Sequence, residues 1–348
     1  MVSNTMVSNT VVSNAVVSNT VVSEIKHPAT LIDPQLVWTL KNKNNRYISH
    51  IVSEATRFTK PKAIPVVNIG FGGSGIGHLE FTTDAKAAYA NALAYLVTQN
   101  PNFAENTLRI LKAWSTTCKT FIGPNAPLEA AWGTAAMARA CELLKYTYNY
   151  TSSDVDIFID WVRRLLMPHL RGDTERYRLN WGFYNNWHTS INEARLQFAL
   201  LCNDLPEVNG CLQQYITIFN TYVADSGVTG ETYRDSDHCC FGLAGLVQTC
   251  EMAFHQGVDL YQLRNNLLHK CMEIHACMFG CGVFPSCVDR TKLVVYRWIQ
   301  PCGWEIVYQH FVNRRGLEMP CTKQLLNRIR PCGFELHWGY DTLTHSVN

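Results

Sequence analysis

The 348-residue chain carries 30 Lys plus Arg against 28 Asp plus Glu, a formal net charge of +2, with charged residues only 17% of the whole. That balance leaves no basic stripe for a phosphate backbone and argues against a nucleic-acid partner. Hydrophobic residues reach 47%, yet no uncharged apolar run attains the ~20 residues a membrane-spanning helix needs, so the chain reads as a soluble protein with a large core and no membrane partner. Nine Trp and 15 Tyr suit a cleft for a flat, polyhydroxylated ligand such as a sugar ring, and suit core packing equally well. Fourteen Cys are too sparse for a disulfide-stapled miniprotein and leave the redox compartment open.

Residues 1–22 repeat a five-residue unit, MVSNT-MVSNT-VVSNA-VVSNT-VV, without charge or helical period. We read residues 1–25 as a low-complexity extension, disordered or docked as an extended strand, ahead of one domain over 26–348. The Met1 end shows neither a basic n-region nor an apolar h-region, so a cytosolic or non-classically exported protein is expected. One sequon, Asn149-Tyr150-Thr151, points to secretion, but a chain of this length contains such a tripeptide by chance.

Residues 33–56 read as two short helices and 61–77 as a Gly- and Pro-rich loop. Thr83-Asp84 reads as the N-cap of an Ala-rich buried helix through Val97, and Pro101 opens its partner. Leu108, Leu111 and Trp114 mark the inward face of the next run, and Trp132, Ala136, Ala140, Leu143 and Leu144 that of the run from Leu128 to Tyr148. Helical periodicity returns over 154–168, 188–203, 208–224, 238–256, 260–279 and 303–314. Strand alternation is confined to Ala63–Ile69 and Lys292–Tyr296. Paired helices with short connections predict an all-α fold, an (α/α) toroid or barrel, in a single domain.

Gly70-Phe-Gly72-Gly-Ser-Gly75 fits G-x-G-x-x-G formally, but the following helix is expected only near Thr83 and no parallel strand is expected after it, so a flexible loop over a cleft is the better reading. Cys271, Cys277, Cys281 and Cys287 with His275 contain one gap of zinc-ligand length and no second pair; buried thiols or one or two disulfides are expected, with no metal. Three polar segments carry more. Tyr184-Asn185-Asn186-Trp187-His188 precedes an amphipathic helix; Glu231-Thr-Tyr-Arg234-Asp235-Ser-Asp237-His238 crowds charge before another apolar helix. Helix N-termini focus partial positive charge and also attract plain capping residues. Arg290 and Tyr296, six apart, share a face if the residues between them are extended.

Taken together, Ala85-Lys-Ala-Ala-Tyr-Ala-Asn-Ala-Leu, Ile110-Leu-Lys-Ala-Trp-Ser, Leu128-Glu-Ala-Ala-Trp with Ala138-Arg-Ala-Cys-Glu-Leu-Leu, Asn186-Trp187 with Glu193-Ala-Arg-Leu, Glu231 to His238, Gly257-Val-Asp-Leu-Tyr261 and Cys302-Gly-Trp-Glu resemble, in this order, the alginate-lyase superfamily over about residues 80–345. The branch most resembled is polysaccharide lyase family 38. The resemblance implies an α/α toroid that cleaves a 4-linked polyuronate, mannuronate-rich alginate or β-1,4-glucuronan, by β-elimination, without cofactor or metal. It places the carboxylate-neutralising residues on Asn186 (or Asn185), Glu231 and Arg290, the base on His238 and a further proton-transfer residue on Tyr296. The Val-Ser-Asn leader and the lack of a visible signal for an enzyme of extracellular polymer depart from the family.

The chemistry asks for such residues. The C5 proton of a uronate is barely acidic while the neighbouring carboxylate keeps its charge, so an Arg fork, an Asn amide or a protonated Glu must neutralise it. A neutral His238 suits a base and Tyr296 an acid delivering a proton to O4; equally, Tyr296 could do both in a syn elimination with His238 orienting the substrate. Tyr184, Trp187, His188, Arg234 and Trp298 would wall the subsites. Two other classes stand beside this one: an inverting glycoside hydrolase, needing two carboxylates about 6.5–9.5 Å apart from among Glu231, Asp235, Asp237 and Asp289, and an inactive carbohydrate-binding protein. The polymer, endo or exo action and the oligomeric state stay open.

Overall fold

The computed structural model describes residues 21–150, 152–172, 184–296, 298, 300–335 and 338–347. The repeat through residue 20, Thr151 of the sequon and residues 180–183 lie outside them. Thirteen α-helices are present among the described residues: α1 Asn45–Thr56, α2 His78–Thr98, α3 Pro101–Thr117, α4 Ala126–Thr147, α5 Ser152–Trp161, α6 Met167–Gly172, α7 Asn186–Leu201, α8 Leu205–Tyr222, α9 Ser236–His255, α10 Leu263–Ala276, α11 Trp304–Tyr308, α12 Pro320–Ile329 and α13 Asp341–His345.

Two kinds of helix alternate. In α4 every residue from Ala126 to Leu144 is buried, and α7 and α9 are nearly as enclosed, because their small residues let neighbouring backbones approach from all sides. Their partners are one-sided: α3 buries Phe103, Ala104, Thr107, Ile110, Leu111, Trp114 and Ser115 along one face and leaves the other residues partly or fully exposed. Inner helices pack side by side in the order α2, α4, α7, α9, while α1 and α3 back onto α2, and α8 onto α7. This is an (α/α) toroid, as the helical pairing predicts. A buried ion pair ties the inner ring together: Arg139 of α4 bonds Glu193 of α7 and also donates to Gln248 Oε1 of α9 at 2.7 Å.

Two small sheets trim the ring. β1 (Val66–Ile69) pairs antiparallel with β2 (Gly75–Ile76) and parallel with β3 (Thr120–Ile122); β4 (Phe334–Glu335) pairs antiparallel with β5 (Trp338–Gly339).

Several expectations need correction. The helix expected from Thr83-Asp84 begins about two turns earlier, at His78, opened by Gly77 in the left-handed region (φ 94°). Asp84 caps nothing, because its carboxylate faces inward and accepts from Trp114 Nε1 at 2.8 Å and the Lys62 amide at 2.6 Å. Gly70–Gly75 departs from a dinucleotide fingerprint in another way than expected: α2 follows closely and β3 does lie parallel to β1, but the third glycine, Gly75, belongs to antiparallel β2 rather than opening the helix. No strand forms over Lys292–Tyr296; a 3-10 turn over Arg290–Lys292 breaks the extended run before it starts. Helices α12 and α13 carry no expectation from the sequence. Cys277 and Cys321 form a disulfide, while Cys271 is a buried free thiol and Cys287 an exposed one.

Candidate active site

The inner helices end on a cavity of about 1690 Å³, where parts of the two helix-opening segments singled out above meet. Its wall includes His78 of α2, Glu129 and Trp132 of α4, Asn185, Asn186 and Trp187 at the start of α7, Arg234, Asp235, Asp237, His238 and Phe241 around the start of α9, and Tyr296 and Trp298.

Local capping rules set the α7 side. Asn185 is the N-cap: its Oδ1 accepts from the Trp187 amide at 3.0 Å, and its own amide donates to His188 Nδ1 at 3.1 Å, a reciprocal capping box. His188 is thereby buried, edge-on to Tyr184 at 4.8 Å, and neither ring is part of the cavity wall. Asn186 is. Its amide and its Nδ2 donate to the two oxygens of Glu231 at 2.8 and 2.7 Å. Glu231 lies behind this wall, fully buried, and also accepts from Tyr222 OH and Arg234 Nη1, both at 3.0 Å. Burial pushes its carboxyl above the ordinary range, and the donors from Asn186, Arg234 and Tyr222 pull it back.

On the α9 side Asp235 is the N-cap, accepting from the His238 amide at 2.8 Å through Oδ1, while Oδ2 bonds His238 Nδ1 at 2.7 Å. One carboxylate therefore starts the helix and fixes the imidazole of its third residue. The segment carrying Tyr296 is tied to the same cap: the Ser236 amide donates to Val294 O at 2.8 Å, and the Tyr296 amide donates to Ser236 Oγ at 3.0 Å. Tyr296 and Trp298 stack with ring centres 5.1 Å apart and planes 10° from parallel, and Trp298 Nε1 donates to Asp237 Oδ1 at 3.0 Å. Burial raises the Asp237 carboxyl, and the Trp298 bond opposes it.

Arg290, expected beside Tyr296, is not in the wall. The turn over Arg290–Lys292 sends its guanidinium over the Phe284 ring, 4.7 Å from the centroid. Arg234 is the arginine that lines the cavity. Asp289, one of the four carboxylates open to a hydrolase reading, is exposed and caps its own turn.

Sequence reasoning missed the opposite wall. His78 Nδ1 bonds Glu129 Oε1 at 2.8 Å, and Asn125 Nδ2 reaches the same oxygen at 3.4 Å. Gly73 of the Gly-rich loop lies over the imidazole: a Cβ there would sit 3.0 Å from Nε2, and its φ of 74° is itself left-handed. The available signal was one carboxylate in the otherwise apolar opening turns of α4, Leu128-Glu129-Ala-Ala-Trp132.

The fold is a toroid with a polar cleft at the N-termini of its inner helices, and comparison with known proteins assigns the family. The alginate lyase family model matches residues 78–278, more than half of the chain, and the protein belongs to that family. Alginate lyase A1-III from Sphingomonas species A1 superposes with a TM-score of 0.73 at 14% identity over 94% of this chain and 98% of its own. A Tyr-to-Phe variant of that enzyme complexed with tetrasaccharide matches with the same TM-score at 15% identity over 94% and 98%. An alginate lyase from Bacteroides ovatus matches with a TM-score of 0.67 at 10% identity over 92% and 99%. No curated protein sequence matches the chain.

Proposed function

We propose that this protein is a polysaccharide lyase of the family-38 type that cleaves a 4-linked polyuronate, mannuronate-rich alginate or β-1,4-glucuronan, by β-elimination, leaving 4,5-unsaturated uronate ends. The observation that carries the reading is the joint anchorage of His238 and Tyr296 on the α9 cap, facing one cavity with Asn186.

In this reading the substrate carboxylate lies against Asn186 and Arg234, whose donors meet the charge that develops as C5 loses its proton. Glu231 positions both: it holds the Asn186 amide and the Arg234 guanidinium from behind. Arg290, assigned to neutralisation by the family resemblance, joins them only if the 285–296 segment swings its guanidinium off Phe284. His238, oriented by Asp235, takes the C5 proton and Tyr296 protonates O4; the syn variant, with Tyr296 in both roles, uses the same two groups. Trp187 and Trp298 flank the sugar path, and Asn185, His188 and Tyr184 support the α7 start.

The test is ultraviolet absorbance over time on polymannuronate, polyguluronate and glucuronan, with His238→Ala and Tyr296→Phe beside the wild type. A rise in the unsaturated-uronate band on one polymer, lost in both variants, is expected. New reducing ends without the band would turn the case to hydrolysis; neither signal would leave a binding protein.

A further inference from the structure

The polyuronate reading uses the groups on one side of the cavity and leaves the opposite side, on α2 and α4, without a role. The α7 and α9 side offers Asn186 and Arg234 as donors. The α2 and α4 side offers Glu129, whose side chain is wholly buried in the protein yet forms part of the wall. Its Oε1 is committed to His78 Nδ1 and Asn125 Nδ2. Its Oε2 is buried and accepts no hydrogen bond from any described residue. A buried acceptor without a donor is costly, so such an atom at a cleft wall calls for a ligand that brings the donor.

A polyuronate presents two kinds of polar group. Its carboxylates are acceptors and would meet Glu129 with like charge; its hydroxyls are donors and would complete it. The floor between the two sides is aromatic, with Trp132 of α4 edge-on to Phe241 of α9 at 5.9 Å, as suits a sugar ring spanning from one side to the other. We propose that Glu129, held in place by His78, binds a ring hydroxyl of the polyuronate and selects among polymers by the configuration of that hydroxyl. Mannuronate and glucuronate differ only in the configuration at C2, so a single fixed acceptor suffices to separate them. His78 acts as a positioning residue: by occupying Oε1 and lying under Gly73, it leaves Oε2 as the oxygen without a partner among the described residues. This inference rests on the polyuronate reading above.

The test is calorimetric binding of saturated hexamers of mannuronate, guluronate and glucuronate to Tyr296→Phe protein, with and without Glu129→Met, an apolar change of similar volume. The hexamer bound best should lose about tenfold or more in affinity, and the others less than about threefold, because a site built around one hydrogen bond discriminates through it. Should the Met variant fail to fold, as judged by its melting curve, Glu129→Gln keeps the volume and an acceptor but removes the charge, and a several-fold loss confined to the best hexamer is expected. On the His78 side, His78→Ala should reproduce the selective loss and His78→Gln, which restores a donor to Oε1, should recover part of it. Equal losses on all three hexamers, or none, overturn the assignment while leaving the lyase reading intact. If Tyr296→Phe protein binds no hexamer, the polyuronate reading and this inference both fall.

Discussion

Asn186 and Glu231, 45 positions apart, are joined twice: the Asn186 amide and side-chain Nδ2 each reach a different oxygen of the same buried carboxylate. The pair fixes the rotation of an amide that lines the cavity, so Glu231 acts on the substrate through Asn186 rather than by touching it. Glu231→Gln replaces one acceptor oxygen with a donor facing Asn186. We expect kcat to fall by about two orders of magnitude, the scale of losing one preorganised donor, with KM changed far less. A variant with unaltered kcat would return Glu231 to a purely structural role.

Asp235 has two duties, and they separate by substitution. Asp235→Ala removes the N-cap of α9 and the partner of His238 Nδ1, and should lower stability by about 1 kcal/mol as well as activity. Asp235→Ser keeps a capping oxygen while losing the imidazole contact. Its melting temperature should stay near that of the wild type while its rate falls with the Ala variant; matching rates for Ser and wild type would show that the His238 contact is dispensable.

Trp298 is exposed but stacked on Tyr296 and bonded to Asp237. Trp298→Ala should raise KM severalfold, in line with about 0.5–1.5 kcal/mol for one aromatic contact, and lower kcat too if Tyr296 loses its alignment. Trp298→Phe retains the stack and should restore kcat. Steady-state rates on the preferred polymer read both.

Acid should destabilise the fold through His275. Burial pushes this imidazole down to about 4, and the neutral ring is held by Cys271 O at 2.7 Å on Nδ1 and by Thr232 Oγ1 at 2.9 Å on Nε2. The unfolded chain binds the proton near the ordinary value of 6.5, so between these two values it holds more protons than the folded one. Stability is therefore highest above about 6.5 and falls as pH drops toward about 4, by roughly 3 kcal/mol for this group. His275→Gln should flatten that part of the profile, measured as urea midpoints across the window. Parallel profiles for variant and wild type would place the acid sensitivity elsewhere.

The buried Arg139–Glu193 pair offers a prediction about the ring itself. Glu193→Ala removes the carboxylate that balances the buried Arg139 charge among three inner helices and should cost about 3–5 kcal/mol, whereas replacing both partners with apolar residues of similar volume should cost much less. Thermal unfolding of the single and double variants checks the difference.

Local physics made much of this molecule legible in the sequence. Apolar residues at helical spacing marked the faces of α3 and α4, Pro101 marked a helix start, and polar clusters before apolar runs marked the openings of α7 and α9, because each of these signals is exchanged between residues a turn or two apart. The same locality explains the error at Thr83-Asp84, where a good capping pair lies inside a helix because Trp114, thirty positions away, takes the carboxylate. What the tertiary structure alone decided was which polar groups share a wall. His78 meets Glu129 across 51 positions and Asn186 meets Glu231 across 45, while Arg290, only six from Tyr296, turns away onto Phe284. Closing a ring of helices brings their ends together without leaving any period in the chain, so the α7 and α9 members of the cleft could be named from the sequence, and the α2 and α4 members facing them only from the fold.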